Sequence, residues 1–212
     1  VRHHFYGDRN DVWKWSIVLN EAEAGGIPRG VVYVAMLTRE QGHVFEPVPD
    51  ARPEVVRFFD DERREFVKGP VRHVGRVRRL FETLGKTIDI IEEHYTHPDR
   101  ARYFNAVTDF LDGRPPTRRD VVLIDPDTGI EPSKKPNEKH VCIKQLQSVW
   151  RVLRPGDTLI VYQHQSRDKD WVTVAKTKLA GVSGTAIDCA GDGPVRFLVA
   201  RSERKMSRAL VI

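Results

Sequence analysis

Apolar runs of strand length alternate along this chain with stretches whose apolar residues recur at helical spacing. Val31–Met36 (VVYVAM), Thr87–Ile91 (TIDII), Val121–Ile124 (VVLI) and Thr158–Tyr162 (TLIVY) are short, rich in β-branched residues and bounded by polar or turn residues, a pattern that predicts strands. An unbroken apolar run is what a strand covered on both faces needs. Between these runs, Ser16–Glu23 carries Ile17, Val18, Leu19 and Ala22 and predicts a helix stopped at Gly25 and Gly26. Val74, Val77, Leu80, Phe81 and Leu84 predict a second helix, ended by Gly85. Pro98–Leu111, Lys139–Leu153 and Asp170–Leu179 predict three more. Gly184–Cys189 and Val195–Ala200, separated by a Gly- and Pro-containing turn, read as a closing hairpin. Strands alternating with helices predict an α/β fold with a mostly parallel, doubly wound sheet, and the hairpin makes the sheet mixed. Residues 1–212 read as a single domain, with about 42–85 as an insertion or helical cover that begins in a loop holding Pro47, Pro49 and Pro53.

The chemistry concentrates where two strands end. Val121–Ile124 runs into Asp125-Pro126-Asp127-Thr128-Gly129-Ile130-Glu131, and Thr158–Tyr162 runs into Gln163-His164-Gln165-Ser166-Arg167. In open α/β sheets the ligand crevice lies beyond the carboxyl ends of the strands. Asp125, Asp127 and Glu131 are close enough to repel unless a cation neutralises them, so a Mg or Mn site with His164 beside it is one reading. The other is turn chemistry, with Asp127-Thr128-Gly129 forming a tight loop and Asp125 capping it. His164 fits a general base, a metal ligand or a phosphate contact, or a surface residue of a polar loop. Near the N-terminus, Asn10 or Asp11 reads as a helix N-cap, with Asp8 and Lys14 as solvated charges. Trp13 and Trp15, being adjacent, face different sides of that helix. No P-loop is present, and neither cysteine has a local partner that marks it as a nucleophile.

Composition narrows the class. With 40% hydrophobic and 31% charged residues, the chain reads as soluble and globular rather than disordered. It has no apolar stretch approaching the roughly 20 residues of a membrane span. Its first residues, His3 and His4 among them, form no apolar signal core, and Cys142 and Cys189 make no CxxC pair, which together predict a cytoplasmic protein. The net charge of +5 is uneven, with Arg72, Arg76 and Arg79 in one basic segment and Arg204, Lys205 and Arg208 in another. Lys134, Lys135 and Arg167 lie beside the two strand ends. Such a distribution fits a nucleic-acid footprint, and it also fits a solvated charged face.

The segment from about 117 to 201 resembles the C-terminal half of class I S-adenosylmethionine-dependent methyltransferases. Leu153-Arg154-Pro155-Gly156-Asp157-Thr158-Leu159 is similar to the "LkPGG-L" turn of that fold, and Asp125-Pro126 to the start of the Asp-Pro-Pro-aromatic motif of amino-methyltransferases. Phe5, Gly7, Asn10, Asp11, Val12 and Lys14 match the opening of the J-type 23S rRNA adenine-N6 methyltransferases, and Trp15 stands where that family has histidine. Asp125–Glu131 with Tyr162-Gln163-His164 also resembles an uncharacterised bacterial group carrying DPDNGLE and a later YQH segment. Two positions depart from the methyltransferase pattern. The first strand is followed by Leu37-Thr38-Arg39-Glu40-Gln41-Gly42, with one glycine, and Asp127 replaces the second proline.

The resemblance implies a Rossmann-like fold and transfer of a methyl group from S-adenosylmethionine (SAM) to an exocyclic amine of a nucleic-acid base. It places the target amine at Asp125 and Pro126, with Asp127 and His164 beside it. It places the cofactor near Lys14, Met36, Leu37, Thr38 and Gly42. The alternatives are a metal-dependent nuclease or phosphodiesterase using Asp125, Asp127 and Glu131, and a non-catalytic nucleic-acid-binding protein on the same scaffold.

Overall fold

The computed structural model describes residues 8–26, 29–37, 51–66, 73–92, 95, 99–132 and 137–202, without the side chains of Arg63 and Phe66. The expectations for His3, His4, Thr38, Gly42, Arg72, Lys134, Lys135 and the basic tail from Arg204 lie outside them. The described helices are α1 (Arg9–Glu23), α2 (Pro53–Phe66), α3 (Arg78–Thr83), α4 (Arg100–Asp112), α5 (Ile143–Val152) and α6 (Trp171–Ser183). The strands are β1 (Gly30–Ala35), β2 (Ile88–Ile91), β3 (Asp120–Asp125), β4 (Gly129–Ile130), β5 (His140–Val141), β6 (Thr158–His164), β7 (Ile187–Ala190) and β8 (Val195–Arg201).

Six strands form one sheet in the order β2-β1-β3-β6-β8-β7. Pairing from β2 to β6 is parallel, and β8 runs antiparallel between β6 and β7. The chain is therefore an α/β protein with a mostly parallel sheet and an antiparallel closing strand, as the alternating pattern predicts. The apolar runs succeed because side chains alternate between two covered faces. Val31, Tyr33, Val121, Leu123, Ile160 and Tyr162 pack on one face against α1, α2 and the 74–84 segment. Val32, Val34, Val122, Ile124, Leu159 and Val161 pack on the other against α4, α5 and α6. No helix among the described residues is long and apolar enough to cross a membrane.

Several boundaries differ from the sequence expectations, each for a physical reason. Helix α1 starts seven residues before Ser16, and its N-cap is Asp8, not Asn10 or Asp11: the Asp8 carboxylate accepts from Asp11 N–H at 2.9 Å. Its first turns hide their helical period because Asp11 and Lys14 are polar yet buried. Gln163 and His164 belong to β6 rather than to a loop, since their backbone keeps pairing with Arg196 and Val195. His140 and Val141 form β5 ahead of α5, paired to the short β4. The 74–84 segment opens as a 3-10 turn over Val74–Val77 before α3 begins.

At the amino ends of the strands lies a buried ion network. Arg114 binds Asp120 through Nη1 and Asp157 through Nη2, the latter at 2.9 Å, and Arg118 adds Nε to Asp120 at 2.8 Å. The Asp157 carboxylate also accepts from the backbone N–H of Asp120 (2.9 Å) and Arg154 (2.8 Å). Arg-Pro-Gly-Asp is thus more than a turn: its aspartate ties the start of β6 to the start of β3.

Candidate functional site

The opposite edge of the sheet, where the parallel strands end, carries the candidate site. Ala35 pairs with Asp125, and Val34 pairs with Ile91, so the ends of β2, β1 and β3 are level. Glu92, the residue after β2, and Asp125 flank the end of β1 on either side, two strand spacings or roughly 10 Å apart. Met36 and Leu37 continue β1, and their side chains are buried in the cores of opposite faces. What they leave at the strand end is backbone.

Asp125 sits in a sealed polar cluster beneath α1. Lys14 Nζ lies 2.6 Å from Asp125 Oδ2 and 2.5 Å from Asp11 Oδ1, and the Tyr33 hydroxyl donates to the same Asp125 oxygen at 2.8 Å. Asp11, Lys14 and Asp125 are 5%, 3% and 2% exposed, so the pairs are protected from solvent screening. Burial works against a charge on Lys14, but the two carboxylates outweigh it and hold the ammonium well above the ordinary lysine range. Burial, then the Asp125 charge, pushes the Tyr33 hydroxyl far above its usual range. Tyr162, from the neighbouring β6, is pushed up by burial, then by Asp125 and Asp8. The role of Lys14 is therefore not that of a solvated charge. It neutralises the strand-end aspartate.

The Asp-Pro-Asp loop folds back over the end of β6. Thr128 N–H and its hydroxyl both donate to Lys139 C=O at 2.9 Å, and His164 N–H donates to Thr128 C=O at 3.0 Å. Gln163 clamps the loop: its Oε1 accepts from Ile130 N–H at 2.9 Å, and its Nε2 donates to Thr128 C=O at 3.3 Å. Gly129 makes this approach possible. Its φ is +119°, and a Cβ there would lie 2.5 Å from Gln163 Cδ. Gly129→Ala combines backbone strain with a clash, so urea denaturation is expected to show a loss of about 2–4 kcal/mol.

The expected metal set does not assemble. Glu131 Oε1 accepts from Ile143 N–H at 2.8 Å at the start of α5, and Asp125 is engaged by Lys14 and Tyr33. No group of three His, Cys, Asp or Glu side chains that could hold a metal ion occurs among the described residues. Asp127 and His164 are partly exposed at the loop and the end of β6, with His164 Nδ1 3.2 Å from Gln165 C=O. Pro126 is buried. Cys142 is buried and its thiol is pushed up to about 11 by burial and by Glu131, which suits a helix cap rather than a nucleophile.

The basic candidates separate. Arg167 is exposed in the turn after β6, close to the strand ends. Arg76 and Arg79 instead pair with Glu62 and Glu65, with Arg76 Nε 2.5 Å and Arg79 Nη1 2.8 Å from the buried Glu62 carboxylate. They join the 74–84 segment to α2 through Glu62 and Glu65.

Two residues of the site differ from the sequence reading: Glu92 is not singled out there, and Asp8 reads there as a solvated charge. Asp8 is partly open to solvent, and burial, then the Asp11 carboxylate, pushes its carboxyl up to about 7. Glu92 Oε2 is buried with no hydrogen-bond partner among the described residues, and His73 Nδ1 lies 3.7 Å from it. Gly75 leaves the space it occupies: a Cβ there would approach Glu92 Oε2 to 3.0 Å. The sequence signal for Glu92 was its position after the TIDII run. The long insertion after β1 hid that this run lies next to β1.

No protein-family model matches the chain, and no curated protein is similar to it by sequence. Among solved structures, it is similar to an O-methyltransferase family protein from Burkholderia thailandensis, with 12% identity and a TM-score of 0.42 over 93% of this chain. The chain spans 59% of that protein's length.

Proposed function

We propose that the chain is a SAM-dependent methyltransferase that acts on nucleic acid, on an exocyclic amine of a base. The observation that carries this reading is the Glu92 carboxylate oxygen at the end of β2, buried without a hydrogen-bond partner among the described residues and level with Asp125 across the end of β1. In doubly wound sheets an acid at the end of the second strand accepts from a ribose hydroxyl. A buried oxygen that lacks a donor fits a ribose diol, which supplies two. Glu92 would thus hold the ribose of SAM, with the backbone of Met36 and Leu37 beside it. Bound there, SAM supplies an electrophilic methyl group on a sulfonium. Asp125, sealed beneath α1 by Lys14 and Tyr33, fixes the turn at Pro126, and the target amine is positioned on the outer side of that turn, beside the partly exposed Asp127 and His164. Positioning of this kind accounts for much of the barrier reduction in transfer between two bound partners. The nucleic-acid preference rests on the likeness of Asp125-Pro126 to amino-methyltransferase motifs and on exposed Arg167 near the strand ends.

Isothermal titration with S-adenosylhomocysteine (SAH) tests this. Wild-type protein is expected to bind it, and Glu92→Ala to bind it at least about tenfold more weakly, as the loss of charged hydrogen bonds implies. Tritiated methyl transfer to total RNA and to genomic DNA then identifies the acceptor. Salt-sensitive nucleic-acid binding without SAH binding would replace this reading with the non-catalytic one.

A further inference from the structure

We propose that a second copy of this chain docks along the β2 edge of the sheet, with α4 and β2 of the two copies meeting about a two-fold axis at Ala106. The surface owes nothing to the methyl-transfer reading. β2 is an outer strand of the six-stranded sheet and pairs only with β1 among the described residues. Outer strands are commonly protected against further pairing by a lysine, a proline or a bulge. β2 has none of these. Three of its four residues are isoleucine, and the fourth, Asp89, is engaged by Arg118 Nη2 at 2.6 Å.

A cavity of about 380 Å³ opens beside this strand, between Ile90 and Ile91 of β2 and Ala106 and Phe110 of α4. Phe110 is 38% exposed, the most open large apolar side chain among the described residues. Glu92 lines the end of the cavity nearest the candidate site, and the contacts proposed leave its carboxylate to that site. An apolar cavity with an exposed ring at its rim, beside an unguarded strand edge, is a surface that gains from being covered.

The order of residues on α4 selects a second copy as the occupant. Arg102 lies one turn before Ala106, and Asp109 and Phe110 lie one turn after it, all of them exposed. Two α4 helices laid antiparallel with Ala106 against Ala106 therefore set Arg102 of each copy against Asp109 and Phe110 of the other, as an isologous contact requires. Each guanidinium then meets a carboxylate and a ring. Among the described residues neither Arg102 nor Asp109 forms an ion pair within the chain. The small Ala106 side chain lets the two helices approach. α4 runs opposite to β2: the Tyr103 hydroxyl, near its start, donates to Ala35 and Ile91 C=O at the carboxyl ends of β1 and β2. The same axis therefore brings the two β2 strands side by side and antiparallel. It also brings Phe110 of one copy level with Tyr103 and Ile91 of the other, at the upper end of the cavity.

Sedimentation equilibrium of the full chain tests this. The wild-type chain is expected to reach twice the mass of one copy as its concentration rises through the micromolar range. A chain that stays monomeric throughout overturns the proposal and leaves this edge to a different partner. Ala106→Arg puts two like charges on the axis and should weaken association at least about 100-fold, with thermal unfolding by circular dichroism unchanged because the position is exposed. Association that survives this substitution overturns the proposal, since the dimer then forms elsewhere. Arg102→Glu and Asp109→Arg should each weaken association at least about tenfold by opposing like charges. Both agree with the dipole of α4, so neither weakens the helix itself. Combined, they restore opposite charges across the axis, and affinity is expected to return to within about threefold of wild type. A double variant no tighter than the single ones overturns the two-fold arrangement.

Discussion

Lys14→Met is expected to cost about 3–5 kcal/mol of stability at pH 8, because it leaves Asp11 and Asp125 buried without their shared cation. Methionine keeps most of the side-chain volume, so the effect isolates charge from packing. The sign of the pH dependence follows from linkage. In the variant, burial raises the two carboxyls above their unfolded values, so the native state binds more protons than the unfolded state. Its stability must then rise as pH falls from 8 towards 5. Wild type gains in the same direction through Asp8, whose carboxyl is pushed up to about 7 by burial and the Asp11 charge, from the ordinary aspartate value of about 3.8. That contribution is fully present below about 3.8 and lost as pH rises through about 7. The gain in Lys14→Met should therefore exceed the wild-type gain. Urea midpoints at pH 8 and pH 5.5 for both proteins check this, and equal gains would mean that Lys14 does not carry the charge of Asp11 and Asp125.

Arg114→Met, at the other edge of the sheet, is expected to cost a similar 3–5 kcal/mol. The Arg114 side chain is 2% exposed and joins Asp120 to Asp157, both fully buried. Removing it strands two carboxylates, with Arg118 the one cation left on Asp120 among the described residues. This variant should keep its SAH affinity, since the network lies at the amino ends of the strands and the candidate site at the carboxyl ends. Guanidinium unfolding paired with calorimetric SAH titration checks both expectations. A large loss of affinity in Arg114→Met would show that the two edges are coupled through the sheet.

The fold was largely legible because its strands are covered on both faces, and unbroken runs such as Val121–Ile124 and Leu159–Tyr162 can hardly be anything else. The edge on which the site lies followed from where those runs stop. Its wiring did not follow. Lys14 and Asp125 are 111 positions apart, and no local spacing announces their contact. Glu131 looked like a metal ligand because it is close in sequence to Asp125 and Asp127, yet β4 and β5 turn it towards the N-terminus of α5. Gln163 looked like an active-site polar residue because it follows a buried run, and it is a clamp whose need for space explains Gly129. Arg76 and Arg79 illustrate the same limit for charge: their acidic partners sit on α2, 11 to 17 positions away. Short-range clustering reports composition, whereas charge pairing depends on which helices meet.

The place of β8 in the sheet has a kinetic consequence. It is the last described strand in the chain, yet it fills an interior slot, pairing with β6 on one side and β7 on the other. During synthesis, β6 therefore waits with an open edge, and β7 has no sheet to join, until residue 201 has left the ribosome. The central pairing of β1 with β3 adds a separation of 90 residues, which slows folding further. An apolar strand edge that stays open this long is a template for pairing with another chain. Val195–Arg201 thus completes the core and also closes the period in which the nascent chain is most prone to aggregate.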